Sequence, residues 1–199
     1  TILTPVLKST KIQRLKIYVR KFDHLVALHT PSDLIIMTDD GTQGDQVLEF
    51  LENKSKLLFV KNGIGWPKSN KMPMTKPNEA VPVTKLPVLN AGVSYFYTSC
   101  RLNSWKRVDR AIHLFKSIHS NHPDSHLFIV GLGPELENLK ALTQDIGVDS
   151  CVTFLGPLPQ YLIAEFSRKM DFFISVYELS NVGNPLWEAI DAGATIITI

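Results

Sequence analysis

Phe172-Phe-Ile-Ser-Val-Tyr-Glu-Leu-Ser-Asn-Val-Gly-Asn-Pro-Leu-Trp-Glu-Ala-Ile-Asp-Ala-Gly193 is the stretch whose reading decides the fold. Its first five residues form a short apolar run that reads as a buried strand. A polar loop follows, then a helix start: Asn184 suits the N-cap and Pro185 the first helical position, where a missing N–H costs nothing. Gly193 suits the residue just past the helix end. In this reading the first turn leaves the N–H groups of Leu186 and Trp187 without helical partners, and the positive end of the dipole points the same way. That is an anion site, which Gly183 lets a ligand approach closely. Glu188 is four residues after Asn184 and so shares its helix face, where a carboxylate could accept two ribose hydroxyls. A capped helix with a surface Glu is the bland alternative on this stretch alone.

Working back from there, the same rhythm fills residues 94–199. Residues 94–98, 127–130, 152–155, 171–176 and 194–199 read as strands, and 107–120, 134–146, 159–169 and 185–192 as helices. Apolar strands alternating with helices predict a parallel sheet covered on both faces. Right-handed crossovers make it α/β, a Rossmann-like doubly wound sheet. With the order 3-2-1-4-5, the first and fourth strands are neighbours where the order reverses, and ligands bind beyond their carboxyl ends. The first leads into Arg101 and Lys106, the fourth into the loop and helix at 180–188. Two cations facing a helix N-terminus predict a diphosphate site, with Arg as a fork and Lys as a point charge. Val130-Gly-Leu-Gly-Pro134 lacks the third glycine of a dinucleotide fingerprint and follows the second strand, so a tight strand-to-helix turn suffices for it.

The first half of the chain is different. Residues 7–28 carry apolar side chains at helical spacing with basic ones between, a solvated helix face or a contact with an anionic surface. Strands are expected near 34–38, buried, and at 57–60. Asp39, Asp40 and Asp45 read as caps of a following helix, and no His or Cys joins them to make a metal site. Five prolines between Trp66 and Asn90 mark an interdomain connection. The expected organisation is therefore a partial second α/β domain at 1–64, a Pro-rich connection at 65–93 and the nucleotide-binding domain at 94–199, its sheet ending on the fifth strand as if truncated. A hydrophobic share of 44% suits a chain with a core, and a net charge of +2 makes no general case for nucleic acid. Cys100 and Cys151 lack metal or redox spacing and read as free thiols of a reducing compartment. The six histidines show no metal spacing, and no apolar run reaches the ~20 residues a membrane helix needs.

At this point the motifs carry a resemblance. Cys100-Arg-Leu-Asn-Ser-Trp-Lys106, Phe128-Ile-Val-Gly-Leu-Gly-Pro134, Val152-Thr-Phe-Leu-Gly156, Gly183-Asn-Pro-Leu-Trp-Glu-Ala189 and Ala192-Gly193 are similar, in order and spacing, to the nucleotide-binding C-terminal domain of retaining GT-B-fold glycosyltransferases of the family-4 group, the glycosyl transferases group 1 type. Lys61-Asn-Gly-Ile64 resembles the handover from that family's N-terminal domain. The resemblance implies that Arg101 and Lys106 hold the donor diphosphate. Gly183, Asn184, Pro185 and Leu186 then form the loop that meets phosphate and sugar. It further implies that Glu188 binds the ribose and that Gly156, Pro157 and Leu158 line the nucleobase. The chain departs from the pattern at Ser180, where the family places a glutamate that contacts the sugar, and Glu178 stands two residues early.

The reading that results is a hexosyltransferase-type enzyme moving a sugar from a nucleoside diphosphate-sugar, with retention, to a glycan, lipid or small-molecule acceptor. Its alternatives are a non-catalytic sugar-nucleotide-binding module and a nucleotide-sugar epimerase of the same fold. No cofactor and no metal are expected, because Arg101, Lys106 and the helix dipole can neutralise the leaving diphosphate. Nucleic acid is not an expected partner, peripheral membrane contact stays open, and the cytoplasm is the expected compartment. The 199-residue chain by itself is expected to be inactive in transfer.

Overall fold

The computed structural model describes residues 33–39, 57–61, 86–178 and 182–199. The basic helix at 7–28, the acidic turn, most of the Pro-rich connection, the Asn62-Gly63-Ile64 handover and Ser180 lie outside the described residues. The chain divides into two compact units, residues 1–63 and 64–199.

In the first unit β1 (Ile35–Asp39) pairs in parallel with β2 (Leu57–Lys61). Both strands stand where the sequence places them, but Ile36 of β1, expected to be buried, is exposed. Ile36 is opposite Leu58 in the register, so both point to one face, and that face is exposed. Apolar composition marks a strand; coverage depends on what packs against it, and no described element covers this side.

The second unit is built on five parallel strands: β3 (Ser94–Ser99), β4 (Ser125–Val130), β5 (Val152–Gly156), β6 (Phe172–Ser175) and β7 (Thr195–Thr198), in the order β5-β4-β3-β6-β7. Helices α1 (Val108–Asn121), α2 (Leu136–Asp145), α3 (Gln160–Ser167) and α4 (Asn184–Asp191) supply the crossovers. This is the doubly wound order, with the reversal between β3 and β6.

Residue alternation explains why both faces are filled. On β3, Phe96 points into a cluster with Ala111, Ile112 and Phe115 of α1, whereas Tyr95 and Tyr97 point into the opposite cluster with Phe166 of α3 and Ala189 of α4. Phe96 stacks on Phe172 at 4.5 Å between centroids and meets Phe115 edge-on at 5.7 Å. Full burial of a side chain such as Phe115 or Ile112 stabilises by roughly 1.5–3 kcal/mol. Two such layers fix the central strand, and with it the ends of the loops that leave it.

Candidate functional site

The carboxyl ends of β3 and β6 open into a crevice of about 410 Å³. Ser99, Cys100 and Arg101 from the loop after β3 form one side, and Asn184, Pro185 and Glu188 from α4 form another. Leu132, Pro157, Leu158 and Ile163 supply an apolar wall. The fold thus brings Arg101, Pro157, Leu158, Asn184, Pro185 and Glu188 together from three separate motifs. Of the remaining residues implicated by sequence, Gly156, Gly183, Leu186, Lys106 and Glu178 lie outside the lining.

Helix α4 corrects two local expectations. Its N-cap is Gly183 in extended conformation, one residue earlier than Asn184, so Asn184 and Pro185 are both helical. The N–H groups of Leu186 and Trp187 are not orphans: both donate to the Gly183 carbonyl, at 3.0 and 3.4 Å. Starting one residue early moves the first turn back, and Pro185 brings no N–H of its own. The positive end of the helix dipole therefore lies at Asn184 rather than at Leu186, whose side chain packs on the α3–α4 core.

Glu188 has one face on the crevice and is otherwise buried at 9% exposure, and burial raises its carboxyl above the ordinary value. A half-desolvated acceptor gains from hydroxyl donors that replace lost water. Arg101 is exposed on the opposite wall. Between them Cys100 is largely buried, which pushes its thiol up to about 11 while the Lys106 charge pulls the other way.

Gly131 and Leu132 also line the crevice, though the sequence accounts for their loop as a turn alone. The structure supplies the reason for these glycines. A Cβ on Gly131 would come 1.9 Å from the Cys100 carbonyl oxygen, and one on Gly133 would come 2.3 Å from that of Leu102. The loops dock backbone to backbone, extending the ladder past the strands: Cys100 N–H donates to Val130 O at 3.0 Å, Leu102 N–H to Leu132 O at 2.9 Å, and Gly131 N–H to Gly156 O at 2.9 Å. Gly156 is engaged in this brace, with φ at +71°, and its neighbours Pro157 and Leu158 reach the crevice. Gly131 adopts φ +130°, a region that favours glycine. Two glycines and a turn residue read alike in sequence whether they face a ligand or another loop, so only the packing distinguishes them.

Lys106 closes a 3-10 turn, Ser104–Lys106, and the chain turns into α1 through Arg107 in the left-handed region at φ 46°. The Arg107 guanidinium holds Asp109 with contacts of 2.8 and 3.0 Å. Asp109 is in the first turn of α1, where an acidic side chain suits the dipole. Among the described residues, no group of three or more His, Cys, Asp or Glu is arranged to hold a metal ion, and no helix is long and apolar enough to cross a membrane.

Comparison with known proteins adds the family. Over 68 residues the chain is 38% identical to an exopolysaccharide phosphotransferase of Streptomyces coelicolor, a match covering 34% of this chain and 7% of that protein. Among solved structures it superposes on WaaG, a glycosyltransferase involved in lipopolysaccharide biosynthesis, with a TM-score of 0.69 at 20% identity over 98% of this chain and 52% of that one. S. aureus TarM, solved with fondaparinux, α-GlcNAc-glycerol and UDP, gives 0.66 at 11% identity over 90% of this chain and 32% of that one. Anabaena HepE, solved with UDP-glucose, gives 0.63 at 16% over 90% and 48%. At these identities the likeness establishes the fold, the GT-B type, and the chain spans about half or less of each matched protein. The model of the glycosyl transferases group 1 family matches residues 87–199, more than half of the chain and the whole of the crevice, and the chain belongs to that family.

Proposed function

We propose that the protein transfers a hexose, with retention, from a nucleoside diphosphate-sugar to a glycan acceptor on the cytoplasmic side. The observation that carries this is the crevice at the β3/β6 reversal, where an exposed guanidinium, a helix start, a half-desolvated carboxylate and an apolar wall face one another. Each has a counterpart on the donor: Arg101 and the Asn184 end of α4 for the diphosphate, Glu188 for the ribose, and Pro157, Leu158 and Ile163 for the base. Lys106 and the dipole of α4 stabilise the charge that develops as the diphosphate leaves, with no metal. UDP and sugar ligands in TarM and HepE support a nucleotide-sugar donor here.

The match to an exopolysaccharide phosphotransferase favours a second reading, transfer of a phosphosugar rather than a sugar. The two differ in which bond breaks. Cleavage at the anomeric carbon releases a nucleoside diphosphate; cleavage between the phosphates releases a nucleoside monophosphate. Incubating the full-length protein, rather than the 199-residue chain alone, with candidate glycan acceptors and a panel of UDP- and GDP-sugars and identifying the released nucleotide by mass decides between them. Release of UDP or GDP is the expected result, UMP or GMP establishes the second reading, and release of neither across the panel sinks both.

A further inference from the structure

A second cavity, of about 350 Å³, lies between the starts of α1 and α2 and shares no lining residue with the crevice. The two are back to back. In the loop after β3, Cys100 and Arg101 line the crevice, Leu102 is fully buried, and Asn103, Ser104 and Arg107 line the second cavity. In the loop after β4, Gly131 and Leu132 line the crevice and Glu135 the cavity. Leu102 is the partition, and its backbone fastens the two loops together. Its N–H donates to the Leu132 carbonyl at 2.9 Å, and its own carbonyl accepts from the Glu135 N–H at 3.1 Å.

The wall of this cavity is chemically mixed. Val108 and Leu139, both buried, give it an apolar floor, and its polar lining is two amides, a hydroxyl, two carboxylates and a guanidinium. The guanidinium is already committed: Arg107 grips Asp109, with contacts of 2.8 and 3.0 Å. Asn138 Nδ2 donates to one Glu135 oxygen at 3.1 Å, which leaves the other oxygen and the Asn138 carbonyl open as acceptors. The Asn103 amide, although half-buried, takes no hydrogen-bond partner among the described residues, nor does the Ser104 hydroxyl. Arg107 is the one non-glycine with positive φ among the described residues, and a strained backbone of this kind is found at ligand clamps. A guanidinium neutralised in place does not call for an anion. Open amide and carboxylate acceptors around an apolar floor suit a ligand that carries many hydroxyls on an apolar ring. We propose that the cavity binds a neutral glycosyl unit, as a second saccharide site separate from the crevice. This goes beyond the transfer reading, and the cavity stands whether or not the crevice holds a nucleotide-sugar.

The test is ligand-observed saturation-transfer NMR on the full-length protein. The probes are the methyl glycosides of glucose, galactose, mannose and N-acetylglucosamine, with disaccharides of the same sugars beside them. Saturation transfer to at least one probe is expected, and it should persist in excess UDP or GDP. A disaccharide that binds more tightly than its methyl glycoside identifies a glycan chain as the source of the unit; equal binding identifies a single sugar. Asn103→Ala and Asn138→Ala are each expected to weaken that probe about 3- to 10-fold and to leave the melting temperature and nucleotide affinity at the parent's values. Asn138 is exposed on α2, so its truncation does not threaten the fold. Arg101→Ala, on the crevice side of Leu102, is expected to leave the probe's affinity unchanged. No saturation transfer to any probe, displacement by UDP or GDP, loss in Arg101→Ala, or parent-like affinity in both asparagine variants would each overturn the second site. Binding of UDP and GDP is read separately, so a parent that takes the glycoside and neither nucleotide sinks the donor reading alone.

Discussion

Glu188 is the residue on which folding and the proposed donor binding make opposite demands. Burial raises its carboxyl, so the folded protein holds a proton that the unfolded chain releases at the same pH. Its contribution to stability is full below the unfolded value and is lost as pH rises through the folded one. Glu188→Gln removes that penalty. We expect thermal melts of the variant to match the parent in acid and to gain on it as pH rises through and above the ordinary carboxylate range. Nucleotide affinity is expected to move the other way. Losing a charged acceptor for ribose hydroxyls costs about 1.5–3 kcal/mol, and the parent's own affinity falls as Glu188 is protonated. A melting temperature that collapses at neutral pH in the variant would make Glu188 a structural residue instead. Arg101 gives the complementary measurement. It is exposed, so Arg101→Ala should leave the melt alone and weaken UDP or GDP by about 1.5–3 kcal/mol, with uridine and guanosine unaffected; unchanged affinity for the diphosphate removes it from the site.

Among the elements, Gly193 just past α4 and Gly133 in the loop after β4 separate two kinds of requirement. Gly193 needs only its backbone conformation, φ +83°, with nothing near an added Cβ. Gly193→Ala should cost about 1 kcal/mol. Gly133 has the Leu102 backbone oxygen, carbon and nitrogen at 2.3, 2.5 and 2.7 Å from an added Cβ, and backbone cannot rotate away as a side chain can. Gly133→Ala is expected to cost on the order of 2–3 kcal/mol and to lower nucleotide affinity as well, because the crevice wall must shift. Equal melting temperatures for the two variants would refute the docking of these loops. The contrast also shows what was legible in the sequence. The strand order and the place of Glu188 were, because alternation of apolar runs with helical spacing forces a doubly wound sheet and the reversal point follows from it. The role of Gly131 was not, since its reason is the backbone of Cys100 on a different strand's loop. Nor was the contact of the Lys106 ammonium with the Tyr177 ring, at 3.9 Å from the centroid, which only the pairing of β3 with β6 brings about. Helix ends were legible to within a residue or two, and that margin was enough to misassign the N–H groups of Leu186 and Trp187 at the start of α4.

For the whole molecule, the residues proposed to hold a donor all lie in the second unit, and the chain spans between 32% and 52% of the structures quoted above. Holding an acceptor against the donor contributes roughly 7 kcal/mol or more of barrier lowering in favourable cases. The 199-residue chain expressed alone is therefore expected to bind UDP or GDP and to transfer no sugar, measured as nucleotide release in the presence of candidate glycans. Robust transfer by this chain would place the acceptor site within these residues. The backbone brace across the three loops has one further consequence, for how such a protein can change over generations. Because Cys100, Leu102, Gly131 and Gly156 are joined through main-chain atoms, the frame of the crevice is indifferent to most side chains mounted on it. Leu132 and Leu158 project from that frame and Ile163 from the adjoining helix α3. On the proposed reading, in which this wall meets the nucleobase, a lineage can exchange one base for another by substituting these side chains while the braced loops keep their shape.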